Sequence, residues 1–413
     1  MAEASQIIDG SIPISPPPGH EGKRIGILMF GLLLVSYILM AADRYLFPVL
    51  AADIRNAFGF SLSNTGLLST VFTLGIGVAG LPTGYLLTRY RRKTILLCGI
   101  VIFSSATALT TIASGFLSML VCLAVQGVGM SMLATSLFAL AANYFSSNRA
   151  AAVGSVNVCY GIGGIIGPLF AGILRTGYAT WHAPMIFFGG FGLAIAVLIF
   201  VFVRPWLSEV QQAKKSMIDE QGAASLMNRN TIILTTLSFL YGLSVYGFLG
   251  LYPTFLRENL HYSAADAGTV ISFFGIGSLA SVFGGWLGDR FSPKTVLSIC
   301  MLFVAVLGYL FFLPSFGMYA REGLTFCYGV MGSSILYVNL AGYHMKALRR
   351  TLSGRGSGMF VSSLYAGAAF GGYLLGSLAT SIGWVHASQI QISLLSLIGA
   401  GLSLGIQRDR MSA

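Results

Sequence analysis

Charged residues are scarce in this sequence. Asp, Glu, Lys and Arg make up 9% of its 413 residues, while 55% are hydrophobic and the mean hydropathy is +0.79. Soluble globular domains carry about 25% charged residues, so this chain lacks the charge needed to solvate a protein surface. The composition excludes a water-soluble fold and is typical of a protein that lies in lipid.

The sequence also lacks the motifs of enzymes, metal sites and nucleotide-driven pumps. It contains no His-x-x-x-His, no Cys-x-x-Cys and no glycine-rich loop followed by Lys-Ser/Thr. The five cysteines fall in apolar runs without metal-ligand spacing, and we interpret them as small buried hydrophobes. We therefore expect no cofactor, no metal and no enzymatic activity, and any work must be driven by a gradient of ions or solute.

Long apolar runs dominate the sequence. About 20 helical residues cross the ~30 Å hydrocarbon core of a membrane, and the chain contains twelve runs of that order. They lie near 25–50, 66–88, 94–113, 117–140, 150–175, 182–204, 230–256, 267–288, 295–314, 321–345, 355–380 and 384–406. The runs are continuously apolar rather than alternating, which argues against a β-barrel. The sequence therefore predicts an all-α polytopic membrane protein with twelve transmembrane helices.

Polar segments divide these helices into two sets of six. The substantial internal loop spans residues 205–229, and the N-terminal residues are polar and proline-rich, which predicts a disordered tail. A cleavable signal peptide ending near Ala41-Ala42 is the alternative, but its removal would leave eleven helices. The predicted organisation is a tail at 1–24, bundles at 25–204 and 230–406 joined by the linker 205–229, and a tail at 407–413.

Lys and Arg residues fall mainly on one side of the predicted helices. If both termini share a side, 19 of the 24 lie on that side, four lie on the other, and Arg44 is inside the first helix. Cytoplasmic loops carry the positive excess, so we expect both termini and the linker to be cytoplasmic. The protein should lie in the plasma membrane, or the bacterial inner membrane if prokaryotic. This asymmetry explains the net charge of +11; no basic stripe accompanies it, so we expect no nucleic-acid partner.

Two pairs of motifs repeat at nearly the same offset. Residues 84–93 read Gly-Tyr-Leu-Leu-Thr-Arg-Tyr-Arg-Arg-Lys, and residues 285–294 read Gly-Trp-Leu-Gly-Asp-Arg-Phe-Ser-Pro-Lys, 201 residues later. The second pair is 204 residues apart, with Gly154, Gly163, Gly167 and Pro168 matching Gly358, Gly367, Gly371 and Gly372. Two six-helix halves related by a parallel repeat are an established transporter architecture.

With these motifs the sequence resembles the major facilitator superfamily over nearly its whole length. Gly-x-Leu-x-Asp-Arg-x-x-x-Lys is that family's cytoplasmic loop motif; the second copy here is nearly complete, and the first has Thr88 in place of the Asp. The resemblance implies two six-helix bundles related by a pseudo-two-fold axis around a central cavity. It also implies a secondary transporter that works by alternating access.

The resemblance assigns gating roles to the loop motif. In the family, its carboxylate and arginine latch neighbouring helices in the outward-open state, so Thr88 should weaken the latch of the first half. The alternative is that these charges only anchor the topology. The gating candidates are Gly84, Arg89 and Arg92 in the first copy and Gly285, Asp289 and Arg290 in the second.

The fifth helix adds further gating candidates. Its run Gly154-x8-Gly163-x3-Gly167-Pro168 resembles the helix-five motif common in proton-coupled antiporters, with Ala171 replacing a glycine. Glycines four residues apart make a flat face for close helix contact, and the proline permits a bend. We expect Gly163, Gly167 and Pro168 to form a seam on which the helix rocks; close packing alone is the alternative.

The first helix carries Asp43-Arg44, which resembles two branches of the family. One is the anion:cation symporters and the other is the Spinster-like lipid transporters. Both usually have Arg and Glu seven residues apart in helix four, where this chain has Leu123 and Met130. Two functional charges of those branches are therefore absent, and the coupling scheme and substrate stay open.

Asp43 is the acidic residue that the spans place within the hydrocarbon. At 1.5 Å per residue it lies about 7 Å from the centre of its helix, where a charge is costly unless it faces a cavity or a partner. We hypothesise that Asp43 is the proton-coupling residue, because burial favours its protonated form while Arg44 favours the ionised form. The alternative is that Arg44 reaches the outer interface and Asp43 only neutralises it.

Substrate contacts are expected from polar residues on the cavity-lining helices. The planar fork of Arg44 suits a carboxylate or phosphate, and tyrosine combines an apolar ring with a hydroxyl. For each neutral residue singly, packing is the alternative. The substrate-binding candidates are Arg44, Gln126, Asn157, Tyr160, Tyr241, Tyr246, Tyr337, Asn339 and Tyr365.

These patterns predict a transporter of a small organic solute, driven by protons or another ion and functional as a monomer in the bilayer. An organic anion is favoured, because Arg44 is the cation available to bind it. Proton-coupled efflux of an amphipathic drug-like or lipid-like solute is the alternative, supported by the missing helix-four charges and the helix-five motif. An intramembrane enzyme and a non-transporting sensor are remote alternatives, and the direction of transport stays open.

Overall fold

The computed structural model describes residues 20–144, 149–204, 223, 225–349, 352–408 and 411. The first six helices are α1 (His20–Asp43, then Leu46–Phe58), α2 (Leu62–Thr70, then Phe72–Arg89), α3 (Arg92–Leu109), α4 (Phe116–Tyr144), α5 (Arg149–Tyr178) and α6 (His182–Phe202). The next four are α7 (Arg229–Glu258), α8 (Ala264–Ser278, then Ser281–Arg290), α9 (Pro293–Phe311) and α10 (Met318–Tyr328, a π-helical Gly329–Tyr337, then Val338–Lys346). The last two are α11 (Ser353–Ile382) and α12 (Trp384–Ser388, a π-helical Gln389–Leu394, then Leu395–Ser403).

The length and hydropathy of these helices fit a membrane protein. Among the described residues, eleven helices are long and apolar enough to cross a membrane, and the two parts of α8, bent by 43°, make a twelfth when they are counted as one span. The predicted all-α class and number of helices are confirmed. α1 begins at His20, inside the predicted tail 1–24; the rest of that tail and most of the linker 205–229 lie outside the described residues.

α1 is interrupted immediately after Asp43. Arg44 and Tyr45 form a turn, and the helix resumes at Leu46. Pro48 has no N–H to donate to the carbonyl group of Arg44, four residues earlier, and its ring would clash with that carbonyl in a continuous helix. The restart places Pro48 in a first helical turn, where a missing N–H costs little. The span predicted at 25–50 is therefore not one continuous helix but is broken at the two charged residues.

Buried hydrophobic side chains form two clusters. One extends from Met29 to Val203; the other extends from Leu234 to Ile406 and also includes Tyr45 and Leu62. The expectation that all five cysteines are buried is wrong for Cys98 and Cys327, which lie exposed on their helices. A thiol on a lipid-facing surface is as acceptable as a small apolar side chain.

The repeated glycines make matching contacts within the two halves. A Cβ atom at Gly163 would lie 2.6 Å from the carbonyl oxygen of Ile38, and one at Gly367 would lie 2.2 Å from that of Phe239. Glycine therefore lets α5 pack directly on the α1 backbone, and α11 on the α7 backbone. These contacts set the register of the repeat. They pair Ile38 with Phe239, Ala42 with Leu243, Asp43 with Ser244 and Arg44 with Val245.

A second set of close contacts joins the two halves. A Cβ atom at Gly268 would lie 2.2 Å from the carbonyl oxygen of Pro168, and one at Gly66 would lie 2.0 Å from that of Gly372. α5 therefore packs on α8, and α2 packs on α11. Of the helix-five gating candidates, Pro168 lies on this seam between the halves. Gly163 and Gly167 do not lie on it, because they face α1 of their own half.

Among the described residues, the close glycine contacts between the halves lie toward one end of the bundle. We name the end that holds Arg89 and Arg290 the basic end, and the other the opposite end. Toward the opposite end, Gly376 packs on Leu62 of the other half. Toward the basic end, Gly284 of α8 packs on Ser334 of its own half, and a Cβ atom at Gly84 of α2 would meet no atom within 4 Å. The described conformation is closed at the opposite end.

Candidate functional site

A cavity between the two halves contains Arg44. It has about 280 Å³ of free space, part of which is open to solvent, and lies beside the break in α1. Helices α1, α2 and α5 of the first half and α7 of the second supply its walls. The lining residues are Arg44, Tyr45, Pro48, Ser69, Phe72, Tyr160, Tyr246, Leu249 and Gly250. Among these residues Arg44 is the one with a charged side chain.

Arg44 is held mainly by aromatic rings. Its guanidinium carbon lies 5.8 Å from the ring centre of Phe72 and 5.4 Å from that of Tyr160, within the range of cation–π attraction. Nη1 donates one long hydrogen bond of 3.4 Å to the Tyr160 hydroxyl, while Nε is buried and has no partner within the described residues. None of the ion pairs found in the described part of the chain involves Arg44. The cation has capacity to bind an anion.

Asp43 points away from this cavity, into the first bundle. Its carboxylate is buried with 3% of its surface exposed, and Oδ2 accepts hydrogen bonds from the Thr107 hydroxyl (2.8 Å) on α3 and the Gln126 amide on α4. The Gln126 amide also donates to the Thr107 hydroxyl oxygen at 2.9 Å. Adjacent helical residues point about 100° apart, which separates the carboxylate from the guanidinium.

Only some of the candidate substrate ligands lie near Arg44. Tyr160 and Tyr246 line the cavity, and the ring centre of Tyr365 lies 6.2 Å from that of Tyr246. Gln126 is occupied with Asp43. The Asn339 amide donates to the carbonyl oxygens of Gly284 and Ile335, so it joins α10 to α8 instead of facing the cavity.

The other tyrosine candidates do not line this cavity, but both lie within electrostatic range of Tyr160, and Tyr337 also of Arg44. Tyr241 is buried near Gly332 of α10. The ring of Tyr337 packs edge-on against Phe360, with 5.2 Å between ring centres. The side chain of Asn157 lies outside the described residues.

Comparison with known proteins decides the family. The family model described as Major Facilitator Superfamily matches residues 33–372, which is most of the chain. The chain belongs to the Major Facilitator Superfamily. It is therefore a membrane transporter rather than an enzyme.

Curated relatives of this transporter differ in what they are named for. It is 24% identical over 305 residues to the hexuronate transporter of Bacillus subtilis, covering 69% of this chain and 71% of that protein. It is 24% identical over 310 residues to the probable sulfoacetate transporter SauU of Cupriavidus necator, with coverage of 69% and 71%. With protein spinster homolog 1 of Xenopus laevis it shares 28% identity over 244 residues, or 57% of this chain and 46% of that protein.

Solved structures show the same fold. A bacterial homologue of the lysosomal transporter Spinster, in an inward-facing and occupied conformation, superposes with a TM-score of 0.74 at 16% identity, covering 93% of this chain and 98% of that one. A point mutant of the nucleoside transporter NupG gives a TM-score of 0.74 at 15% identity, covering 92% and 99%. At these identities the likeness establishes the fold alone.

The loop motifs of the transporter form contacts within each half. Arg89 stacks on Tyr85 at 4.8 Å, and Arg290 stacks on Trp286 at 5.3 Å, each four residues earlier in its helix. Asp289 forms an ion pair of 2.9 Å with Lys346 of α10. The remaining motif residues lie close by. Arg92 is the first residue of α3, and Gly84 is exposed. A Cβ atom at Gly285 would lie 3.9 Å from the Val338 side chain. The side chain of Thr88 lies outside the described residues.

Sequence reasoning missed two groups of residues. Thr107 holds Asp43, but threonines are frequent in these helices and nothing in the spacing marks this one. Asp53 forms ion pairs with Arg175 and Arg257, although the charge pattern indicates only loop positions for these arginines. A signal was available in the reciprocal charges, since Asp53 and Arg55 near the end of the first predicted span are opposite in sign to Arg257 and Glu258 near the end of the seventh.

Proposed function

We propose that this protein is a secondary active transporter that moves a small organic anion by alternating access and is coupled to protons. The observation that supports the anion is the state of Arg44 in the cavity: a guanidinium among aromatic rings, with one long hydrogen bond and no acidic partner within the described residues. A cation in such surroundings gains from a ligand that brings a carboxylate or a phosphate.

Arg321 shows what a structural arginine looks like in this fold. It is fully buried and donates four hydrogen bonds, three to backbone carbonyl oxygens near the end of α9 and one to the Tyr252 hydroxyl. Arg44 lacks such a set of partners. The contrast favours ligand binding over a packing role for Arg44.

The shape of the cavity suits an anion with an apolar body. Phe72, Tyr246 and Leu249 line the cavity together with Arg44, and these side chains favour apolar or aromatic surface over a bare polar solute. The relatives named for hexuronate and sulfoacetate transport support the anion class. A single cation fits a monoanion better than a polyanion.

Export of an amphipathic solute is the second candidate. Leu123 and Met130 replace the helix-four charges of the related branches and are buried, with 2% and 0% exposed. Relatives named a sphingosine-1-phosphate transporter of Danio rerio and a multidrug efflux pump of Staphylococcus aureus support this class. The aromatic walls around Arg44 suit such a solute as well.

Proton coupling is proposed for Asp43. Its carboxylate is buried, and Oδ1 has no hydrogen-bond partner within the described residues. An ionised carboxylate with one oxygen unpaired is costly to bury, so a small change in its surroundings on opening can change its protonation. Each chain holds both Asp43 and the cavity, which supports function as a monomer.

Ligand-dependent thermal stability tests the substrate class. A ligand that binds the folded state raises its unfolding temperature by mass action, so the purified protein is screened against monocarboxylates, dicarboxylates, lysolipids and cationic dyes. We expect stabilisation by monocarboxylates that Arg44→Gln abolishes. Arg24→Gln, which removes an exposed positive charge, is the control and should keep the response. Stabilisation by dyes or lysolipids alone, unchanged in Arg44→Gln, would favour efflux instead.

We also propose that the basic end and both termini face the cytoplasm. The positive-inside rule supports this orientation. Single cysteines replace Tyr90 at the basic end or Tyr319 at the opposite end, which are 60% and 88% exposed, in a variant without its native cysteines. An impermeant maleimide added to intact cells should label the cysteine at position 319 and not that at position 90. The reverse pattern would invert the topology.

A further inference from the structure

We propose that Gln126 and Thr107 are positioning residues that hold Asp43 in a proton site separate from the substrate cavity. This inference rests on the proposed proton coupling. The three side chains come from α1, α3 and α4 and are buried, with 3% of Asp43, 1% of Thr107 and 4% of Gln126 exposed. Each is hydrogen-bonded to the other two, so the carboxylate orientation is fixed from two neighbouring helices.

The titratable groups around Asp43 do not take part in this network. Tyr37 and Arg44 lie on α1, Cys122 on α4, and Cys159 and Tyr160 on α5. α3 has no titratable side chain within two turns of Thr107, and α6 has none after His182. No hydrogen bond or ion pair in the described part of the chain joins any of these groups to Asp43. Thr107 and Gln126 are therefore the side chains that determine the hydrogen bonding of the Asp43 carboxylate.

The separation of the two sites has a consequence for coupling. Arg44 faces the cavity and Asp43 faces the bundle core, so proton and substrate need not compete for the same atoms. The two residues are joined by one peptide bond at the break in α1. A change of hydrogen bonding at Asp43 can therefore reorient Arg44 by a local backbone movement. This replaces the expectation that Gln126 binds substrate.

The pH dependence of proton-driven uptake tests the proposal. Hydrogen bonds to a carboxylate favour its ionised form, so Thr107→Val and Gln126→Leu should each move the midpoint of the pH profile upward by about one unit. Thr107→Ser keeps the hydroxyl and should restore the original midpoint. Thermal stabilisation by substrate should be unchanged in all three. The carboxylic C=O stretch in infrared difference spectra should report the same midpoints without any need for transport.

Three results would overturn the assignment. They are unmoved midpoints in both Thr107→Val and Gln126→Leu, the same shift in Thr107→Ser as in Thr107→Val, or loss of substrate stabilisation in Gln126→Leu. The last would restore Gln126 as a substrate ligand. Asp43→Asn separates this proposal from the proposed function. If this variant keeps pH-driven uptake, the coupling role of Asp43 itself fails. If it loses that uptake while the midpoints of Thr107→Val and Gln126→Leu stay unmoved, only the positioning role fails.

A different set of contacts leads to a second inference. The geometry points to an ionic gate at the opposite end, formed by Asp53 and Arg55 of α1 with Arg257 and Glu258 of α7. Asp53 pairs with Arg257 through two hydrogen bonds, one of 2.9 Å from Nη2, and Arg55 pairs with Glu258. Arg175 of α5 also donates to Asp53 at 2.7 Å.

These pairs link the halves reciprocally. An acid and a base on α1 meet a base and an acid on α7, at positions 204 and 203 residues apart. The side chains of the pairs are 10–30% exposed, so water and salt screen them only in part. Both pairs must break when the halves separate at this end, whereas the Arg175 contact stays within the first half. The gate therefore favours the conformation described here.

Charge reversal tests the gate independently of any substrate. A cysteine at Ser69, which lines the cavity, is labelled from the opposite end by an impermeant maleimide in proteoliposomes. Arg55→Glu and Glu258→Arg should each raise the labelling rate several-fold, and the double variant should return it toward the starting rate. High salt should speed labelling of the unaltered gate. Unchanged rates in the single variants, or a double variant that labels as fast as they do, would overturn the proposal.

Discussion

The two halves of this transporter agree in their backbone contacts and differ in their polar side chains. Gly163 and Gly367 pack on the first helix of their own half in the same register, and Pro168 and Gly372 contact the other half. In that register, Asp43 and Arg44 correspond to Ser244 and Val245. The contacts that let helices approach closely are repeated, while the ionisable pair belongs to the first half alone.

The residues at the matched positions explain this difference. The Ser244 hydroxyl donates to the carbonyl oxygens of Leu240 and Gln391, and Val245 is buried. The Gln391 amide donates to two further backbone carbonyls. At this level of its bundle the second half has hydrogen bonds between neutral groups, and burying neutral groups costs less in lipid than burying a charge. At this level of the described bundle, the half that holds Asp43 and Arg44 alone bears the cost of charges.

Enlarging the own-half glycines should have the largest effect. A Cβ atom at Gly167 would lie 2.3 Å from the Ala42 carbonyl oxygen, and one at Gly371 would lie 2.8 Å from the Gly247 amide. We expect Gly167→Val and Gly371→Val each to destabilise the fold by more than the ~1–3 kcal/mol of ordinary overpacking. Fluorescence-detected size-exclusion chromatography should show loss of the monodisperse peak.

Gly358→Val is the matched control for those variants. A Cβ atom there meets nothing within 4 Å, so the peak should remain. If Gly167→Val kept the peak while Gly371→Val lost it, the two glycine contacts would have the same geometry, but the contact in the second half would contribute more to stability.

Neutralising the carboxylate should have the next largest effect and should affect one half only. Asp43→Asn removes the proton-binding group, so uptake driven by a pH gradient should fall to the level seen without a gradient. Substrate exchange, which needs no net proton movement, should continue. Ser244→Ala, at the matched position, should leave pH-driven uptake unchanged. Driven uptake that survives in Asp43→Asn would remove this residue from coupling and weaken the contrast between the halves.

Restoring the missing acid of the first loop motif should have a moderate effect. Thr88→Asp adds an attraction that exists only when the basic end is closed, and so favours the outward-open state. Cysteines placed on either side of the cavity should show this as labelling that is a few-fold faster from the opposite end and slower from the basic end. Equal rates in the variant and the unaltered protein would show that the motif acts as a topology anchor.

Breaking the Asp289–Lys346 pair should have the smallest effect. Asp289 is 76% exposed and Lys346 36%, and exposed ion pairs contribute about 0–1 kcal/mol. Asp289→Asn should therefore change the unfolding temperature by a few degrees at most. Asp53→Asn, which alters a carboxylate that is only 10% exposed, should lower it further. Equal changes of the unfolding temperature in the two variants would mean that burial of the carboxylate does not make the ion pair at one end stronger than that at the other.

Much of the fold could be predicted from the sequence because its causes are local. A helix must be long and apolar enough to cross the hydrocarbon and must satisfy its own backbone, and these demands appear as runs of about 20 residues. The glycine repeat at an offset of 204 also reflects a local demand, since only glycine fits where backbones touch. Pro48 carries a local signal of the same kind, but the break in α1 was not predicted from it, and the predicted span at 25–50 is continuous.

The candidate site depended on tertiary structure because it is built from residues far apart in sequence. Asp43 and Arg44 are adjacent, yet one faces Thr107 and Gln126 in a bundle core and the other faces Tyr160 in the cavity. Helical spacing shows that the side chains of adjacent residues point in different directions, but it does not show which helix each side chain contacts. The pairing of Asp53 with Arg257 across 204 residues was decided only when packing brought the ends of α1 and α7 together.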